Sequence, residues 1–401
     1  MNRRSHTLLI LVLGSFTAIG PFSIDMYLPG FPAIARDLGT DISHVGLSLT
    51  SYFIGISLGQ LGYGPLLDKY GRKKPIIAGL ILYILAAIGC GLSPSIQWLV
   101  VMRFILATGA CVGIVASRAI VRDLFPLNEV ARVFSTLMLV LSISPLLAPS
   151  VGAYVADAFS WRYIFAVLAI IALIMLGAVI RYLPESHPGD RSISLHPVTQ
   201  ARRYLSVFRE PTFFAYGLAS AAASAGLFAY IADSPFVFMN LFGLTERQFG
   251  FIFSLSACAV IGASQMNRLW LRKRSSKAIS IRAIIAQSSV ALLLLLSVVA
   301  GAPPLILYVF LVCYLAGLGS LSPNTTAVAI GPFTSNAGTA SALMGSMQMA
   351  AGAIGSTLVS TFHDGTARPM AGVLLFASVT SLGLQMSYRK RARSTPPAGV
   401  S

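Results

Sequence analysis

Charge is scarce in this chain. Only 10% of its 401 residues are Asp, Glu, Lys or Arg, where soluble domains carry about a quarter. With 56% hydrophobic residues and a mean hydropathy of +0.78, that scarcity excludes an ordinary soluble fold and points to a chain that crosses a membrane repeatedly. Acids are scarcest, 13 against 29 bases, for a net charge of +16. Nucleic-acid binding does not follow from this excess. The bases sit in short clusters between apolar runs, with no basic face interleaved with aromatics, and read as loop charge that sets topology. Cysteine is rare too: Cys90, Cys111, Cys258 and Cys313 all lie inside apolar runs, without CxxC and without histidine at metal spacing. They read as small packing hydrophobes, and no metal site is expected. The five histidines, His6, His44, His187, His196 and His363, fall in the tail or in expected loops, so none is placed as an intramembrane ligand or proton carrier. No GxxxxGK[ST] loop is present, which argues against a nucleotide-driven pump. Strand alternation is missing, which excludes a β-barrel. No catalytic constellation stands in the apolar runs, so neither an enzyme nor a cofactor is expected.

What the chain has instead is twelve apolar runs near the 20 or so residues a transmembrane helix needs. They fall at 7–27, 45–66, 76–92, 98–116, 133–153, 161–183, 212–238, 249–269, 279–300, 305–330, 339–362 and 370–388. The first follows Arg3 and Arg4 and imitates a signal peptide. It is longer than such a segment's apolar region and no small-x-small site follows, so it is expected to stay as span one. With the N-terminus inside, only Arg36, Arg162, Arg247 and Arg368 fall on the outer side, and Arg103 lies within a span; every other Lys and Arg is inside. Both termini are therefore expected to be cytoplasmic. The longest inner connection is polar and basic and divides the spans six and six. The expected organisation is a six-helix bundle over 1–183, a cytoplasmic central loop over 184–211, and a second bundle with a short basic tail over 212–401. This is an all-α integral membrane protein of two pseudo-symmetric bundles.

Three stretches carry a family resemblance. "GPLLDKYGRKK", residues 64–74, resembles the loop between spans two and three of the major facilitator superfamily. Gly71 permits the tight return, Lys69, Arg72 and Lys73 hold the loop at the inner surface, and Asp68 is free to face a helix N-terminus. Inner-surface charge alone would explain the bases, but not Asp68 with Gly64 and Gly71. "LVVMRFILATG", residues 99–109, resembles the span-four motif of drug:proton antiporters, with Arg103 in the charged position and Thr108 where glutamine is usual. "SPLLAPSVGA", residues 144–153, resembles the span-five antiporter motif, with Pro145, Pro149 and Gly152, but with Ala148 and Ala153 at two glycine positions. The prolines read either as ordinary kinks or as a special backbone feature. Along the whole chain, "SIDMYLPGFPAI", "RDLFP" and "ADSPFVF" resemble Bcr/CflA-type drug exporters. The resemblance implies the major facilitator fold, a latch formed by Gly64 to Lys73, and proton-coupled export of small organic drugs. It also implies residence in a bacterial inner membrane, with protons, substrate and lipid as partners and a monomer as the working unit. A carrier of one metabolite or nucleoside with the same fold is the alternative.

Asp25 and Arg103 are charges inside apolar runs. Asp25 lies about 27 Å of helix from Thr7 and Arg103 about 8 Å in from Trp98, so in antiparallel spans they reach similar depth. Intramembrane charges usually pair or line a cavity. Asp25 and Arg103 are expected to pair, either as a proton-loading site or as a static salt bridge. Asp233, in the outer part of span seven, is either a second proton or cation site or a cap on a break before Pro235. Pro29 and Pro32 mark where the first helix gives out. Tyr27, Tyr52, Phe53, Gln60, Tyr230, Phe236, Asn324 and Gln348 are candidates for the substrate cavity wall. Gly55, Gly59 and "AGAIGS" read as close helix packing.

Overall fold

The computed structural model describes residues 3–333 and 336–394; residues 1–2 and the end of the basic C-terminal tail, 395–401, lie outside the described residues. The first bundle comprises α1 (Arg3–Asp25), α2 (Phe31–Asp37), α3 (Ile42–Tyr70), α4 (Lys73–Gly91), α5 (Ile96–Leu124), α6 (Leu127–Ala158) and α7 (Trp161–Tyr182). After a link carrying α8 (Pro197–Phe208) come α9 (Pro211–Pro235), α10 (Glu246–Leu271), α11 (Ser276–Val299), α12 (Pro304–Ile330), α13 (Ala337–Thr361) and α14 (Arg368–Ser394). Among the described residues, twelve spans are long and apolar enough to cross a membrane, α1 with α2 counting as one and α9 with its extension to Leu241 as another. No strand occurs among the described residues.

In hydrocarbon every backbone polar group has to be satisfied within the segment, and the helix ends show how that is met. Ser95 Oγ accepts from Trp98 N, Glu210 from Phe213 N at 2.6 Å, and Thr245 with Gln248 closes a reciprocal capping box at the start of α10. Large apolar side chains such as Leu85, Ile174 and Leu305 point outward, more than 60% exposed, as a lipid-facing surface requires. Within the bundles, glycine sets the spacing. A Cβ on Gly109, the end of the span-four motif, would sit 2.7 Å from the Gly79 carbonyl oxygen, so α5 lies directly on α4.

Two helices were not legible as spans. α2 continues span one past the break as buried chain, with Phe31 and Ile34 fully enclosed, where the hydropathy pattern predicts a loop. α8 lies in the central link. Other expected loop residues are helical: α3 runs on to Tyr70 and α5 to Leu124, about two turns past position 116. Asp68, Arg118, Arg122 and Asp123 are therefore helix side chains.

The bundles meet along two seams, α3 with α13 and α6 with α10. Thr50 Oγ1 donates to Ser356 Oγ (2.8 Å) and Ser57 Oγ to the Ser346 carbonyl (2.9 Å). Phe53 packs on Phe228 at 4.4 Å. In the other seam Ser254 Oγ donates to the Leu146 carbonyl (2.8 Å), and Arg247 pairs with Asp157 (2.7 Å) at the end away from the basic clusters. At the basic end the bundles part around a cavity of about 340 Å³.

Candidate functional site

Asp25 stands at a break in span one. α1, with Pro21 inside it, ends at Asp25; a 3-10 turn over Leu28–Gly30 follows, with Pro29 near its start, and Pro32 opens α2. The break is buried: Asp25 is 5% exposed and Tyr27 fully enclosed. The Asp25 carboxylate makes no hydrogen bond or ion pair among the described residues. It lies within electrostatic reach of Tyr52 in its own bundle and of Tyr230 in the other.

The expected pair with Arg103 is not formed. Arg103 does reach the depth of Asp25, but Nη1 donates to the Ser23 carbonyl at 2.8 Å. Its guanidinium carbon lies 4.4 Å from the Tyr27 ring centre and 4.3 Å from that of Tyr52. Nε and Nη2 have no hydrogen-bond partner among the described residues. Such desolvated cation–π contacts are worth about 2 kcal/mol or more, enough to hold the guanidinium without a carboxylate. Helix periodicity explains why the pair fails. The Ser23 hydroxyl faces α4, 2.6 Å from the Tyr83 hydroxyl; two residues on, Asp25 points about 200° around the axis, away from α4.

Asp233 sits near the end of α9, two residues before Pro235, where the helix gives way to a π-helical turn over Phe236–Leu241. Among the described residues its side chain caps nothing, and its Oδ2 is buried without a partner. It borders a small pocket of about 10 Å³ with Ser43, Ser360 and His363, room for about one water. His363 is therefore closer to the buried acid than its loop position suggests.

The cavity candidates divide. Gln60 lines the basic-end cavity. Tyr27 and Tyr52 do not face a cavity: they enclose Arg103, their hydroxyls bonded to Ser48 (2.7 Å) and the Gly20 carbonyl (3.1 Å). Asn324 is also inside a bundle, its amide donating to Asn267 Oδ1 at 2.7 Å. Gln348 donates to Ser220 Oγ (2.9 Å). Tyr230 stacks on Phe253 at 5.6 Å, with its hydroxyl unpartnered. Phe53 and Phe236 serve packing, against Phe228 and His363.

At the basic end Arg72 bridges two carboxylates, Asp68 at 2.6 Å and Asp123 at 2.9 Å. Asp68 thus turns to Arg72, while the first turn of α13 lies across the cavity from it. Beneath the α3–α4 turn, Glu185 accepts from the backbone N–H groups of Arg72 (2.7 Å) and Lys73 (3.1 Å), closing the N-terminus of α4. Gly71 has φ +82°, and Gly189 with φ +80° packs so close that a Cβ would lie 2.7 Å from the Lys69 carbonyl oxygen.

This arrangement has a match along nearly the whole chain. Residues 11–356 fit the model of the Major Facilitator Superfamily. The chain belongs to that superfamily. It is 33% identical to an uncharacterized MFS-type transporter, YdgK, of Bacillus subtilis, over 92% of each chain. It is 31% identical to a bicyclomycin resistance protein homolog of Haemophilus influenzae, over 92% of this chain and 93% of that one. Among solved structures, the xylose transporter XylE from E. coli, in a partially occluded inward open conformation, superposes with a TM-score of 0.76 at 14% identity, over 98% of this chain and 99% of that one. That likeness shows the fold.

In this major facilitator the span-five residues have a definite place. A Cβ on Gly152 would collide with the Met26 carbonyl oxygen, the residue after Asp25. Span five therefore lies against the break that presents Asp25. Pro149 turns its carbonyl toward Gly250 of α10, and Pro145 lies one turn earlier in α6. The residues missed by sequence reasoning are Asp123, Glu185, Arg118 and Arg122. "RDLFP" contained the first without a role, and the two arginines were counted as loop charge.

Proposed function

We propose that this protein exports small organic compounds, drugs among them, across the bacterial inner membrane in exchange for protons, by alternating access between its two bundles. The working unit is a monomer with both termini cytoplasmic, so the basic end faces the cytoplasm. The observation that carries this reading is the buried, unpaired Asp25 at the span-one break. Charge on such a group is costly unless it is paired or hydrated; protonation removes that cost. A site that loses and regains a proton as water reaches it from one side or the other is what exchange requires. Arg103, held by two tyrosine rings beside that break, senses the charge on Asp25 without neutralising it. Asp233, buried with an unpartnered oxygen, serves as a second proton site. The relative named for bicyclomycin resistance supports a drug as cargo.

The Gly64-to-Lys73 segment, the end of α3 and its turn into α4, acts as the latch. Arg72 holds Asp68 in the present state; on closure of the basic end, Asp68 meets the first turn of α13, where the helix dipole favours a carboxylate. Gln60, which lines the basic-end cavity, supplies substrate contacts together with Tyr230 and Gln348 as the bundles rock. The test is expression in an efflux-deficient bacterium against a drug panel at two external pH values. Resistance that fades as external pH rises, and that vanishes in Asp25→Asn at unchanged membrane abundance, is the expected result. Coupled efflux unaltered in Asp25→Asn would overturn the reading.

A further inference from the structure

The basic-end cavity lies between the bundles and is walled by α3, α5, α8 and the start of α13. Its charged side chains are not balanced. The two carboxylates, Asp68 and Asp123, are both committed to Arg72. Arg118, Arg122 and Arg203 also line the cavity, and none of the three has an ion pair or side-chain hydrogen bond among the described residues. Arg118 and Arg122 are one helical turn apart, a spacing at which like charges repel. Arg122 also reaches the first turn of α13: a Cβ on Gly338 would lie 3.7 Å from its Nη1. That turn has no side-chain cap, and a helix N-terminus carries partial positive charge and unbonded N–H groups. Three guanidinium groups thus surround a space whose far wall is also positive. The missing component of such an arrangement is an anion, for which guanidinium forks and helix N-termini are the two standard protein ligands.

We propose that this cavity binds the anionic group, a carboxylate or phosphate, of the compounds this protein exports. The inference rests on the export reading and narrows it to cargo bearing a negative charge, captured between the bundles before the basic end closes. Arg118 and Arg122 would grip the anion from the first bundle and the α13 N-terminus from the second, so the cargo itself draws the halves together.

The test uses the purified full chain in neutral detergent and two fluorescent probes, N-dansyl-phenylalanine and its methyl ester, which differ by one negative charge. The wild-type protein should bind the carboxylate about tenfold more tightly, the size of one charge-assisted hydrogen bond, and added salt should shrink the difference. Arg118→Gln combined with Arg122→Gln should erase the preference and leave ester affinity and melting temperature unchanged; Arg118→Lys should keep part of it. If the double variant does not fold, Arg203→Gln and Arg118→Lys carry the comparison. Equal binding of the two probes by the wild type, or a preference that survives in the variants, overturns the proposal. So does a preference lost when phosphatidylglycerol is added to phosphatidylcholine vesicles, because a lipid headgroup would then be the occupant. Failure of either probe to bind a chain that still exports drugs overturns it as well, and leaves export standing. A clear charge preference in a chain that exports nothing overturns the export reading alone.

Discussion

Asp25 and Asp233 occupy corresponding places in the two bundles. Each lies in its bundle's first span at the point where regular α-helix ends, within four residues of a proline, and each is about 5–6% exposed. Their surroundings differ. Asp25 has a guanidinium at its own depth, caged by Tyr27 and Tyr52, and the backbone beyond it is clamped by Gly152. Asp233 borders a one-water pocket, with His363 as the nearest basic group lining it. The comparison teaches that a helix break is enough to bring a carboxylate into the interior, but that the neighbours decide what its charge can move. Among the described residues, the first bundle sets a ring-caged guanidinium at the depth of its acid and the second does not.

The largest expected effect tests that distinction directly. In proton-loaded vesicles, Asp25→Asn should abolish pH-driven transport, whereas Asp233→Asn should leave part of it; equal loss in both would break the comparison. Gly152→Ala comes next. Its methyl group meets the Met26 carbonyl oxygen, so overpacking of about 1–3 kcal/mol is expected, read as a lower melting temperature together with impaired efflux. Arg103→Lys keeps the charge but loses the planar stacking on two rings. A stability loss of about 1–2 kcal/mol is expected, with transport weakened rather than abolished. Tyr230→Phe should matter least. Its hydroxyl has no partner to lose, so thermal stability should stay within about 0.5 kcal/mol. A large drop in efflux in that variant would instead give the hydroxyl a role in reading Asp25.

The spans were legible because hydropathy over about 20 residues is a strong signal, and Asp25, Arg103 and Asp233 stood out as charges within it. Their depths followed from helix rise. Their partners did not, because the direction of a side chain depends on which way each helix is turned, and a two-residue offset sends Ser23 and Asp25 to opposite sides. α2 stayed hidden because Pro29, Gly30 and Pro32 read as a loop. Arg118 and Arg122 were absorbed into loop charge because a basic helix end and a basic loop look alike in composition. Tyr27 and Tyr52 read as cavity wall because nothing in the sequence marks them as the rings that hold Arg103.

Beside the Phe53–Phe228 contact and the exposed Arg247–Asp157 pair, the hydrogen bonds across the seams between the bundles come from hydroxyls: Thr50 with Ser356, Ser57 with Ser346, Ser254 with the Leu146 carbonyl. Each such bond is worth about 1 kcal/mol net, and water can replace it as the surfaces part. A buried ion pair broken at the same place would cost about 3–5 kcal/mol. One charge crossing a membrane potential of about 100 mV supplies about 2.3 kcal/mol. Each hydroxyl bond in the joint is thus an increment no larger than the energy of one charge's passage across the membrane.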